Sequence, residues 1–118
     1  MNKYLEKIAK AYSEVGSTFT HEGQEYDLNK VLSLVRDKRV VRTPVRELAW
    51  VLQYDKTDPN RLAKADPKVP VVVVKGKHGL TAVDGLHRLS KAHSSGLSHI
   101  PSREITKDEL MLAKKGPQ

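Results

Sequence analysis

The sequence predicts a small α+β domain, a mixed sheet with flanking helices preceded by an N-terminal helix and hairpin. Three observations predict it. Val71-Val72-Val73-Val74 is a β-branched run without polar alternation, which suits a strand covered on both faces. Segments with apolar residues at helical spacing alternate with short strand-like segments bounded by glycine and proline. The chain has 118 residues, 38% of them hydrophobic and 30% charged, a length and balance suited to one domain.

Each element has a local cause. In residues 3–15, Leu5, Ile8, Ala9 and Tyr12 form one helical stripe, and Gly16 is a natural end. Residues 17–21 and 24–26 flank Glu22-Gly23 as a hairpin. Asp27 can cap a helix that carries Leu28, Val31, Leu32 and Val35 to Arg36. A strand is expected over 39–45, with Pro44 demoting its end to an edge position. Residues 46–52 read as a short helix with Leu48, Val51 and Leu52 inward, and Asp58-Pro59 opens another through 61–65.

Pro67 and Pro70 then force an extended entry into the valine strand. Gly76-Lys77-His78-Gly79 turns the chain back along residues 80–84, and Gly85 breaks that strand. A helix over 86–95 ends at Gly96, and residues 100–105 form a further strand. Thr106-Lys107-Asp108-Glu109 has the pattern of a capping box opening a last helix. One domain is expected over 1–118. Residues 1–38 form its N-terminal extension, 39–113 its core and 114–118 a polar tail.

Composition excludes several functions. There is no cysteine, so disulfide frameworks, thiolate metal sites and cysteine nucleophiles are ruled out. No stretch approaches the roughly 20 apolar residues of a membrane helix. Met1-Asn2-Lys3-Tyr4-Leu5-Glu6-Lys7 lacks the apolar core of a signal peptide. A soluble cytoplasmic protein with no membrane partner is expected. The net charge is +7, from 21 Lys/Arg against 14 Asp/Glu. The excess is regional, because residues 60–118 hold 11 cations against 5 acids and four of the five histidines. That pattern suggests a positive face turned toward an anion. All six aromatics lie in the first half, apart from those cations, unlike a single-strand stacking platform.

The chemistry concentrates at Val83-Asp84-Gly85-Leu86-His87-Arg88-Leu89-Ser90-Lys91-Ala92. On a helix, Leu86, Leu89 and His93 share one side, where His93 is expected as a core or interface histidine. His87, Arg88 and Lys91 share the other side. Cations in a first helical turn oppose the electropositive helix end, and the free amides there need acceptors. One bound anion answers both demands, and Gly85 lets a phosphate approach the backbone. Asp84 has three open roles: helix cap, Mg²⁺ ligand, or acceptor of a proton from a substrate hydroxyl. Asp84 as a simple cap, with solvated His87 and Arg88, needs no ligand at all. The six-residue spacing of His87, His93 and His99 does not favour a shared metal.

These residues carry a resemblance. The segment 70–75, the turn, the returning strand 80–84, Gly85-Leu86-His87-Arg88, Lys91-Ala92, Gly96 and Ile100-Pro101 together resemble the ParB/sulfiredoxin superfamily. The likeness covers roughly residues 39–105, and Thr43-Pro44-Val45-Arg46-Glu47-Leu48 resembles the entry to that fold. It implies a phosphate pocket at Gly85, His87 and Arg88, with Lys91 adding charge and Asp84 and His87 as catalytic candidates. It also implies a nucleoside triphosphate with Mg²⁺, used for hydrolysis or phosphoryl transfer. Asp58-Pro59-Asn60-Arg61 loosely resembles the family's polar-Pro-Arg box, which offers Arg61 as a second phosphate ligand and Asp66 as a holder of a cation; Asp58 as a simple helix cap with Arg61 solvated is the alternative. Two departures matter. Leu86 stands where sulfiredoxins carry their catalytic cysteine, which excludes thiol repair. The chain also has no room for the further domains of chromosome-partitioning relatives. Trp50 and Tyr54 are the nearby aromatics, with Trp50 expected in the core. The alternatives are a basic module that binds or cleaves DNA or RNA, and a non-catalytic protein that acts on a protein partner.

Overall fold

In a computed structural model, the described residues are 18–53, 57–77 and 79–115. The expected helix over 3–15, Tyr54, His78 and the tail after 115 lie outside them. The elements are β1 (Thr18–His21), β2 (Gln24–Asp27), α1 (Leu28–Val35), β3 (Val41–Pro44) and α2 (Val45–Leu48), which runs on as a 3₁₀ turn (Ala49–Gln53). Then follow α3 (Pro59–Lys64), β4 (Val71–Gly76), β5 (Gly79–Asp84), α4 (Leu86–Ser94), β6 (His99–Glu104) and α5 (Lys107–Met111). The protein is a mixed α+β fold, as the sequence predicts.

Local chemistry sets the boundaries. The Asp27 side chain accepts the amides of Asn29 and Lys30 at the start of α1. Asp58 accepts the Asn60 amide at α3, with Pro59 at the first helical position. At α5 both bonds of the capping box form: Thr106 Oγ1 accepts the Glu109 amide at 3.1 Å, and Glu109 Oε1 accepts the Thr106 amide at 2.9 Å. The predicted helix at 46–52 is α for one turn and then tightens to 3₁₀; of its three expected inward residues, Leu48 and Val51 are buried and Leu52 half-buried.

The main sheet has the order β3-β6-β4-β5. β6 runs antiparallel to β3 and parallel to β4, and β5 is antiparallel to β4. The parallel pair is reached by the crossover through β5 and α4. Val71, Val72, Val73 and Val74 are each at most 3% exposed. Their two faces feed two clusters. Val71 and Val73 pack with Val45, Leu48, Leu89 and Ile100. Val72 and Val74 pack with Tyr26, Val31, Val35, Ile105 and Leu110. The β1–β2 hairpin and α1 therefore supply part of the apolar cover on the second face. The chain's end straps them down, since Ala113 O accepts the Asp27 amide at 2.8 Å and Glu25 O accepts the Lys115 amide at 2.9 Å.

Glu109 also pairs with Lys38 Nζ, and this partner, with the Thr106 amide, lowers its pKa to about 2. A depressed carboxylate stabilises the fold above its unfolded value near 4.5 and loses that contribution as pH falls toward 2. E109Q is expected to flatten the acid limb of a stability-against-pH curve measured by chemical denaturation. T106A is expected to cost about 1 kcal/mol through the lost cap.

Candidate functional site

Gly85 makes the site possible. Its φ is +102°, a left-handed conformation, and a Cβ there would stand 2.4 Å from Val71 Cγ1. The turn from β5 into α4 thus lies directly on the buried strand. A register shift between Val72 and Val73 precedes it, so Asp84 sits opposite Val72 while Ala82 sits opposite Val73. No side chain caps α4, whose N-cap residue is Gly85 itself. The first amides of such a helix have no intrahelical acceptor.

This end opens into a cleft of about 880 Å³. Its walls are β1, the end of β5, the start of α4, and the stretch from Arg61 through Asp66. Arg61, Lys64, Arg88 and His87 line it with Asp66 and Asp84, and Phe19 and His21 come from the hairpin. Lys64, Phe19 and His21 are absent from the sequence-based site. Lys64 was within reach, because it follows Arg61 by three residues and shares its helix face. The hairpin residues carried no local signal.

The structure brings Asp84, Gly85, His87, Arg88 and Arg61 to one cleft, and it ties most of them up. Arg88 Nη2 donates to Asp84 Oδ2 at 2.9 Å, and Nη1 donates to Pro70 O at 2.6 Å. Both side chains of this pair are about one-fifth exposed. The guanidinium expected to face a phosphate instead braces the β4 entry against α4. Asp84, for its part, does not cap the helix; its carboxylate faces Arg88. His87 Nε2 accepts the Asp58 amide at 2.9 Å, which fixes the neutral ring with its proton on Nδ1. Lys91, expected to neutralise a ligand, donates to Ala63 O at 3.0 Å and joins α4 to α3. Asp66 Oδ1 accepts the Lys68 amide.

Two further expectations resolve. His93 is exposed, a correction to its placement on the apolar side, because Leu89 and Ala92 alone fill the buried stripe of α4. Trp50 donates its Nε1–H to Leu80 O at 2.9 Å and packs against the Leu89 cluster, so it is a structural aromatic and not a cleft residue. No group of three or more metal-ligating side chains occurs among the described residues. Asp84 has its Oδ2 engaged by Arg88, and Asp66 Oδ1 accepts the Lys68 amide.

Burial, and next the charge of Arg61, lower the His87 pKa below 6.5, against an opposing pull from Asp58. Only the neutral ring can accept the Asp58 amide. This contribution to stability is therefore present above pH 6.5 and lost as pH falls through the lowered value. An NMR titration of the His87 ring is expected to give a midpoint below 6.5. G85A adds both a left-handed alanine and a clash with Val71, and is expected to destabilise the fold by about 3 kcal/mol in urea unfolding.

No family model matches the chain, and no curated protein matches it. Among solved structures, the crystal structure of sulfiredoxin from Arabidopsis thaliana is similar, with a TM-score of 0.47 and 19% identity. The alignment covers 63% of this chain and 94% of the sulfiredoxin.

Proposed function

We propose that the cleft binds a phosphorylated anion, with a nucleotide as the ligand class. The observation that supports this best is the uncapped start of α4 above left-handed Gly85, opening toward Arg61 and Lys64. Phosphate oxygens would accept the first amides of α4, where the helix field favours negative charge. Arg61 and Lys64 would supply charge-assisted contacts from the facing helix. The cleft volume of about 880 Å³ falls within the usual range for small-ligand sites. His87, neutral and held by Asp58, would offer its Nδ1–H as a donor. The nucleotide as ligand class rests on the resemblance of residues 84–92 to the ParB/sulfiredoxin superfamily.

We propose binding and not turnover. Asp84 and His87, the two catalytic candidates, both satisfy contacts within the protein, and neither is poised to take a proton from a substrate hydroxyl. Arg88 acts here as a positioning residue. Its bonds to Asp84 and Pro70 hold the start of α4 in place beneath the phosphate. Calorimetric titration with ATP, with and without Mg²⁺, is expected to show saturable binding. In R61A/K64A, loss of two charge-assisted contacts of about 1.5 kcal/mol each should weaken it about a hundredfold. Unchanged affinity in that variant, with an unchanged circular dichroism spectrum, overturns the site.

A further inference from the structure

Several cations of the sequence's basic second half are already engaged. Arg88, Lys91, Lys115 and the Nε of Arg103 each hold a bond within the protein. Arg61 faces the cleft, and a second set of exposed guanidinium groups lies in the segment that leaves α1 and forms β3. Arg36, Arg39 and Arg42 are all exposed. No ion pair holds any of them among the described residues.

The sheet register sets two of the arginines, Arg42 and Arg103, on one face. Val72 stands opposite Arg103, and Arg42 stands opposite Pro101, two residues before Arg103 on β6. Arg42 and Arg103 are therefore diagonal neighbours on the face that α1 covers at β4, about 7–8 Å apart. Arg36 ends α1 and lines a shallow groove of about 390 Å³ together with Arg103. Arg39 is exposed at the entry to β3, an edge strand. Acids do not cancel this face. Glu104 points to the opposite side of the sheet with Val73, and Glu109 is held by Lys38. Asp37 is the one carboxylate within the segment 36–46.

We infer that this ledge on the β3–β6 edge, which does not include the cleft residues Arg61 and Lys64, docks double-stranded DNA through its phosphates. Four arginines and no free lysine favour forked contacts to phosphate oxygens. No aromatic residue lies among β3, β6 and the 36–40 connection, so base stacking on single strands has no platform. The same lack of aromatics leaves a lipid interface without an anchor. Arginine contacts to phosphate oxygens read no base edges, so the binding is independent of sequence.

The test is fluorescence anisotropy of a short labelled DNA duplex across a salt series. With four phosphates neutralised, the logarithm of affinity should fall with the logarithm of salt at a slope of roughly −3.6, at about 0.9 per contact. R39A/R42A should weaken binding and bring the slope to about −1.8. R61A/K64A should leave both unchanged, which separates this surface from the nucleotide cleft. The inference is overturned if wild-type protein gives no salt-dependent shift. It is overturned equally if R39A/R42A binds as wild type or R61A/K64A causes the loss. Preferential binding of a duplex RNA, or of phosphatidylserine vesicles over DNA, assigns the ledge to another partner and overturns it too.

Discussion

Four consecutive valines impose the architecture. A strand that is apolar on both sides cannot sit at a surface, so the sheet must be covered twice. α2 and α4 cover one side, and α1, α5 and Tyr26 of the hairpin cover the other. The N-terminal hairpin is thus part of the same packing problem as the valine strand. The demand also reaches the site. Gly85 must lie on Val71, and that contact fixes where α4 begins and which way its amides open.

The cleft uses charge in two ways. Arg88 and Asp84 neutralise each other four residues apart, and Arg88 also takes up the carbonyl of Pro70 where the chain enters β4. This arrangement stabilises the turn and lowers the free positive charge at its centre. Arg61 and Lys64, on the facing wall, retain theirs. The division is economical in a small domain, because a buried guanidinium must be paired while an exposed one can wait for a ligand.

How much was legible in the sequence follows the range of each interaction. Asp27, Asp58 and Thr106 announce their helices because each caps an amide two or three residues away. The valine run and the glycines likewise act locally. The Arg88 contact to Pro70 spans 18 residues, that of Lys91 to Ala63 spans 28, and that of His87 to Asp58 spans 29. No periodicity encodes such pairings. The helical wheel set His87, Arg88 and Lys91 on one face, but not what that face meets. It also set His93 inward, whereas Leu89 and Ala92 already fill the space against the sheet. Phe19 and His21 reach the cleft only because the hairpin folds over the edge of β5.

The seam between β2 and the residues after α5 bears on how the protein comes into being. Gln24 Nε2 donates to Lys115 O, a pairing across 91 positions, and the neighbouring backbone bonds span nearly the same interval. During synthesis the hairpin emerges before residues 113–115, so it can meet the helix that follows it and the valine strand first and gains these backbone bonds only afterwards. The seam that holds the hairpin, and with it the β1 wall of the cleft, would therefore close late.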